Sequence, residues 1–341
     1  METIMEALLY KPLKGGEVQC RLCNHYCVIK DGRRGLCNVR ENRGGRLHTL
    51  VHDKVVACHV DPIEKKPLFH FYPGSLAYSL GTVGCNFRCR FCQNADIAQM
   101  ATDYDGQIIG KSMTPEDIVE GAVAAGCQSI AYTYTEPTVF FELAYATATA
   151  AHKQGLKNIF VTNGYMSAEA MDMIHPVLDA ANVDVKAFSD EFYKKQCGAH
   201  LTPVLETLKK MKTLGIFLEV TTLIIPGLND DPQELKDLAH FIAADLGDDT
   251  PWHVSRFHPT YRLMDRPPTP VNTLLRARDI GMAAGLKYVY TGNIPGQEGE
   301  STLCYGCGKT VIKRLGFTVM GNRIKNNQCP DCGAVIHVKG L

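Results

Sequence analysis

Cysteines offer the most chemistry in this chain, and their spacing is uneven. Cys85, Cys89 and Cys92 fall within eight positions of the stretch GCNFRCRFCQN (84–94), and the next cysteine, Cys127, lies far downstream in an apolar stretch. A closed structural metal site takes four protein ligands, and an ordinary ferredoxin-type cluster takes four cysteines. Three thiolates on a C-x3-C-x2-C loop can reach three corners of a four-iron cube and leave one iron free. An open coordination position separates a reactive metal site from a structural one. Zinc completed by a histidine is the competing reading of a lone triplet.

Eleven of the 14 cysteines fall in three tight groups. Besides the triplet, Cys304/Cys307 (CYGC) and Cys329/Cys332 (CPDC) form two C-x2-C knuckles around a segment that alternates like a hairpin, with Gly321 at its turn. Four thiolates there close one tetrahedral site, as in a zinc ribbon, with rubredoxin-type iron as the minority alternative. Cys20, Cys23, Cys27 and Cys37 follow a C-x2-C-x3-C-x9-C pattern that fits a structural zinc or an auxiliary iron–sulfur cluster. Spacing leaves both open. A short module with little apolar sequence of its own would gain its fold from the metal, which tips the choice to zinc. Cys58, Cys127 and Cys197 read as small buried hydrophobes, and His25, His52, His59 and His70 as solvated or hydrogen-bonded side chains.

The chain has 341 residues, 45% of them apolar, with 36 Lys+Arg against 36 Asp+Glu. The charge balance gives no footprint for nucleic acid or a membrane surface. No apolar run approaches the length of a membrane span, and METIMEALLYKPL carries acids where a signal peptide needs bases. The expectation is a soluble, cytoplasmic protein, in which close-set cysteines hold metals and not disulfides.

From residue 76 onward, short apolar runs alternate with amphipathic stretches. Strands are expected at 76–82, 128–134, 157–162, 182–187, 216–225, 252–257 and 287–291. Thr114-Pro115, Thr202-Pro203 and Asp231-Pro232 each place a capping oxygen before a proline at a helix start, and Gly126, Gly155, Gly215, Gly247 and Gly285 end helices. Alternation of this kind calls for a parallel α/β sheet with right-handed crossovers. Six βα units are too few for an eight-fold barrel, so an incomplete, open (β/α)6-type barrel is expected. Residues 1–75 then form a Cys-rich N-terminal module, 76–297 the partial barrel, and 298–341 a ribbon-like tail. Chemistry in such folds sits at the C-terminal strand ends. The cysteine triplet, Glu136, Thr162, Asn163, Asp184, Lys186, Pro226, Asn229 and His258 all fall there.

The cysteine loop after a strand at the head of a (β/α) repeat, with Phe91 before its last cysteine, resembles the radical S-adenosylmethionine (SAM) superfamily. YTEP (134–137), VTNG (161–164), DVK (184–186), IIPGLND (224–230) and His258 are similar to motifs of its pyruvate formate-lyase activating enzyme branch. Tyr134-Thr135 stands where the branch has a glycine pair, and Val161 where it has aspartate. The segments DPIEKKPLFHFYPG (61–74) and YTYTEPTVFFE (132–142) resemble the radical SAM member of the AmmeMemoRadiSam group. The resemblance implies a [4Fe-4S] cluster on Cys85, Cys89 and Cys92 whose free iron chelates SAM. It also implies cofactor contacts from Phe91, Glu136, Thr162, Asn163, Asp184, Lys186 and His258. A deoxyadenosyl radical would abstract hydrogen from a substrate, fed by a flavodoxin- or ferredoxin-type donor, with Amme-type and Memo-type domain proteins as partners. Activation of a glycyl-radical enzyme is the alternative within this class. A non-catalytic iron–sulfur and zinc protein for electron transfer or nucleic-acid binding is the alternative outside it.

Overall fold

A computed structural model of the chain describes residues 5–292, 294 and 299–341. Its centre is an eight-stranded sheet: β1 (Ala57–Pro62), β2 (Leu76–Gly81), β3 (Ser129–Tyr132), β4 (Lys157–Thr162), β5 (Ala180–Asp184), β6 (Phe217–Ile224), β7 (Trp252–Arg256) and β8 (Val289–Gly292). The spatial order follows the chain from β1 to β8. Strands β2 to β8 pair in parallel, and β1 joins β2 antiparallel with Ala57 opposite Gly81.

Helices α1 (Pro115–Ala124), α2 (Phe141–Lys153), α3 (Ala168–Ile174), α4 (Leu201–Thr213), α5 (Pro232–Phe241) and α6 (Val271–Ala283) connect the parallel strands. Thr114 and Asp117 close a reciprocal capping box at α1, and Asp231 accepts the amides of Gln233 and Glu234 at α5. The Thr202-Pro203 expectation fails. Helix α4 begins at Leu201 after His200, because Asp190 Oδ1 accepts the Leu201 amide at 3.0 Å and so caps the helix from outside it.

The expected division at residue 75 does not describe the chain, because β1 is part of the main sheet and residues 5–55 pack into the same core. The boundary expected at 297/298 lies outside the described residues. In the tail, β9 (Thr302–Leu303), β10 (Thr310–Leu315) and β11 (Thr318–Asn322) form an antiparallel sheet whose hairpin turns at Gly316-Phe317. Gly316 supplies the positive φ, 55°, that a two-residue turn needs. Gly321, expected at the turn, lies inside β11 beside a register shift.

The sheet's inner face is polar. Asn182 and Asp184 on β5, Glu219 and Thr221 on β6, and His253 and Ser255 on β7 alternate with Val183, Leu218, Val220, Trp252 and Val254 on the helix-covered face. Parallel strands are commonly apolar on both faces, so this period-2 polarity marks an interior that is not a simple core. The 61–74 segment closes it from one end. Ile63, Leu68 and Phe71 pack on the small inner residues Ala77, Ala131 and Ala180. The Asn182 side-chain amide donates to Pro67 O at 2.8 Å, and Glu219 accepts the amides of Phe69 and His70 at 3.0 and 2.8 Å. Arg314 of the tail donates to Phe69 O at 2.6 Å and pairs with the buried Glu64.

His70 joins this segment to the tail. Its Nδ1 lies 2.8 Å from His337 O and its Nε2 2.6 Å from the Tyr290 hydroxyl. The carbonyl accepts from Nδ1–H, so Nε2 accepts from the tyrosine and the ring is neutral. Burial pulls its pKa down to about 4, against the attraction of nearby Glu219. The unfolded chain takes up a proton near 6.5 while the folded chain does not, so this ring's contribution is complete above that pH. It is lost as pH falls from about 6.5 toward 4, roughly 3 kcal/mol in all. Urea midpoints across that window are expected to fall more steeply for the wild type than for His70→Phe. Parallel slopes would contradict this role for His70.

Candidate active site

A cavity of about 520 Å³ opens at the C-terminal ends of the parallel strands. The loop after β2 brings Cys85, Cys89 and Cys92 to one wall, with Phe91 beside them. The loop after β3 brings Glu136, the last residue of β4 and the first after it bring Thr162 and Asn163, and the end of β5 with its following loop brings Asp184 and Lys186. One cavity therefore gathers every residue of the expected SAM site except His258, which is exposed and does not line it. Strand β7 ends at Arg256 and Phe257 turns into the core, its amide held by Thr269 Oγ1 at 2.9 Å, so the next side chain points to solvent. Ser255 and His253 occupy this part of the wall instead.

Glu136 is 1% exposed and organises its surroundings. Its Oε1 accepts from the Thr138 amide (3.1 Å), the Thr138 hydroxyl (2.6 Å) and the Thr162 hydroxyl (2.7 Å). Among the described residues its Oε2 accepts from one donor, the Asn163 backbone amide, at 2.8 Å. Burial pushes its pKa up despite these bonds. Asn163 in turn donates from Nδ2 to Asn86 Oδ1 at 2.7 Å, next to Cys85. The Thr162-Asn163 pair thus ties Glu136 to the cysteine loop.

Tyr134, in the place of a glycine, adopts φ 66°. The left-handed conformation costs a non-glycine residue on the order of 1 kcal/mol. Two contacts offset it: the hydroxyl donates to Asp61 at 2.6 Å, and the carbonyl accepts from Asn94 Nδ2 at 2.6 Å. Burial would raise Asp61, but Lys65, Lys66 and this hydroxyl hold it well below the usual carboxylate range. A tyrosine can therefore keep the glycine-like backbone path at this loop.

Lys186 Nζ lies 2.8 Å from Asp184 Oδ2. Burial alone would lower the ammonium's pKa, yet Asp184 and the Cys89 sulfur raise it, so it stays charged beside the cysteines. Asn229 braces this loop by donating to Lys186 O at 2.7 Å.

Two of the triplet thiols, Cys85 and Cys92, are poor acids as they stand. Burial pushes Cys85 well up and Cys92 to about 11. Ionisation here needs added positive charge, as a metal centre supplies. Among the described residues, the one group of three or more Cys, His, Asp or Glu ligand atoms all within 4.8 Å of one another is Cys304, Cys307, Cys329 and Cys332. The Cys304–Cys332 and Cys307–Cys329 sulfurs lie 3.5 and 3.7 Å apart, close to the roughly 3.8 Å of a tetrahedral zinc–sulfur site. The triplet is spread too widely for one ion, and a cluster with corners fits it better.

Three groups escaped the sequence reading. Cys197, buried at the end of a π-helical turn, neighbours Cys89 and holds that thiol's pKa below its ordinary value. Its irregular helix is a setting frequent at functional sites, but no motif signals it. His253 and Tyr290 form the far wall, and Glu219, buried behind it, lies 2.7 Å from His253. The buried Thr221 and Thr291 hydroxyls, also on the wall, have no hydrogen-bond partner among the described residues. The alternation of Glu219 with apolar neighbours on β6 was the available signal.

The comparisons supply the family. The radical SAM superfamily model matches residues 79–242. An uncharacterised protein of Methanocaldococcus jannaschii is 48% identical over 335 residues, 98% of this chain and 99% of that protein. The pyruvate formate-lyase-activating enzyme of Clostridium pasteurianum is 22% identical over 165 residues, covering 47% of this chain and 66% of that enzyme. Among solved structures, Streptococcus suis SuiB bound to its precursor peptide SuiA aligns with a TM-score of 0.51 at 14% identity, over 68% of this chain and 51% of that one. That likeness concerns the fold alone. The chain belongs to the radical SAM superfamily. No helix among the described residues is long and apolar enough to cross a membrane.

Proposed function

We propose that this protein reductively cleaves SAM and uses the resulting deoxyadenosyl radical to abstract hydrogen from a substrate held in the same cavity. The observation that carries the reading is the convergence of Cys85, Cys89 and Cys92 with Glu136 and the Asp184–Lys186 pair on one cavity wall. A [4Fe-4S] cluster on the three thiolates would supply the electron and an open iron. Glu136 Oε2, with one protein donor, has capacity for the SAM ammonium. Phe91, buried and lining the cavity, offers an apolar face for adenine. Thr162 and Asn163 act through Glu136 and the cysteine loop, as their hydrogen bonds indicate.

The far wall, with His253, Tyr290 and the Thr221 and Thr291 hydroxyls that have no partner among the described residues, is assigned to substrate. The sheet, unpaired between β1 and β8 and lined at its strand ends by this cavity, supports the open-barrel reading. Zinc is the metal proposed for Cys304, Cys307, Cys329 and Cys332. The 61–74 segment, which builds the cavity floor, supports membership of the AmmeMemoRadiSam group. A cytoplasmic setting with a flavodoxin- or ferredoxin-type donor completes the proposal.

Anaerobic protein reconstituted with iron and sulfide is expected to convert SAM to 5′-deoxyadenosine and methionine when dithionite is added. Product formation is expected to vanish in the Cys89→Ala variant. Cleavage that survives this substitution would contradict the assignment.

A further inference from the structure

The four N-terminal cysteines surround a second, small pocket that the SAM site does not use. Cys20, Cys23, Cys27 and Cys37 all line it, and Leu22 and Ile29, both 3% exposed, close it from water. The sulfurs do not meet the spacing of a single-ion site. Among the described residues, no three of them lie mutually within 4.8 Å. A zinc tetrahedron requires about 3.8 Å, which the tail cysteines satisfy at 3.5 and 3.7 Å. Four thiols facing one pocket at wider spacing suit a core that carries its ligands on outer corners.

Arg40 gives an independent indication. It is 1% exposed and lines the same pocket. Its Nη2 donates to Glu142 Oε1 and Leu8 O, both at 2.6 Å. Its Nε and Nη1 are buried and have no partner among the described residues. Buried guanidinium donors left unpaired are costly, and an anionic group in the pocket would satisfy them. A four-thiolate iron–sulfur cluster is such an anion.

The pocket adjoins the triplet. His25 lies between Cys23 and Cys27, and its Nε2 is 2.8 Å from the carbonyl of Asn86. Asn86 follows Cys85 and itself lines the N-terminal pocket. One hydrogen bond therefore joins the two cysteine loops.

We propose that Cys20, Cys23, Cys27 and Cys37 hold an auxiliary [4Fe-4S] cluster that relays electrons to the cluster at Cys85, Cys89 and Cys92; the relay, though not the auxiliary cluster itself, rests on the function proposed above. A low-potential donor of the ferredoxin class loses one electron and the auxiliary cluster gains it. The auxiliary cluster then returns to its oxidised state as the first cluster is reduced. No bond forms or breaks. The sequence-based preference for zinc at this end is reversed.

The test begins with the full chain carrying Cys85→Ala, Cys89→Ala and Cys92→Ala, reconstituted anaerobically. About four irons per chain are expected to remain, with the Mössbauer spectrum of a four-iron cluster. About one zinc is expected, from the tail. Two zincs without iron would overturn the site. In the same background, Arg40→Lys keeps the charge but removes the fork of donors. It is expected to shift the auxiliary cluster's midpoint potential downward, and an unmoved potential would contradict a guanidinium facing the cluster.

The relay is read in Cys23→Ala/Cys27→Ala protein. SAM cleavage driven by dithionite, a small reductant able to reach the first cluster directly, is expected to persist. Cleavage driven by reduced ferredoxin is expected to drop by about tenfold or more. An equal rate with both donors would overturn the relay. Absence of cleavage by wild-type protein with either donor would contradict the proposed function and the relay together, while the iron result would still decide the auxiliary cluster.

Discussion

Glu136→Gln is expected to weaken SAM binding by roughly ten- to a hundredfold, the loss of one charge-assisted hydrogen bond, while iron content stays at the wild-type level. Glu136 Oε1 already accepts three hydrogen bonds, whereas Oε2 accepts one, from the Asn163 amide. The spare capacity for an ammonium group is therefore on Oε2. Glutamine keeps the volume and can still accept from Thr138 and Thr162 through its oxygen. Its NH2 group would then face the Asn163 amide, donor against donor, and could no longer attract a cation. Anaerobic equilibrium dialysis with labelled SAM, together with iron analysis, reads both quantities. Unchanged affinity would show that Glu136 only braces the Thr162-Asn163 loop.

Glu219→Ala is expected to cost on the order of 3–5 kcal/mol of folding free energy, since three buried donors would each lose their acceptor at about 1–3 kcal/mol apiece. Glu219 is fully buried and accepts from His253 and from two backbone amides of the 61–74 segment. Burial would raise its pKa, but His253 and the amides outweigh that and hold it low, so the site stores a carboxylate. Alanine would strand the Phe69 and His70 amides and His253 together. The loss is expected to loosen the segment that also anchors the tail through Arg314 and Phe69. Urea midpoints at equal metal loading measure it, and a change below about 1 kcal/mol, the ordinary range for a point substitution, would contradict the role.

How much of this could be read from residues alone depended on the period of the signal. The βα alternation located seven of the eight sheet strands within a few residues, because apolar runs and proline-led helix starts are local. Strand β1 was missed: ACHVDP (57–62) has little apolar alternation and exists through pairing with β2. Helix α4 was misplaced because its cap, Asp190, comes from another element. Close-set cysteines and loop-end polar residues located most of the cavity wall. His258 falls outside the cavity because a buried Phe257 turns the chain, which no motif records. Cys197 and Arg40 were invisible because each gains its meaning from a partner more than a hundred residues away.

The central claim is that the metal centre on Cys85, Cys89 and Cys92 keeps one iron open for SAM. Electron–nuclear double resonance on the reduced protein with SAM labelled at its amino nitrogen and carboxylate oxygen tests this directly. Hyperfine coupling of both labels to the cluster spin is expected, and it should be lost with methionine-free adenosine in place of SAM. A reduced cluster that shows no coupling to either label, in protein that demonstrably binds SAM, would contradict the account.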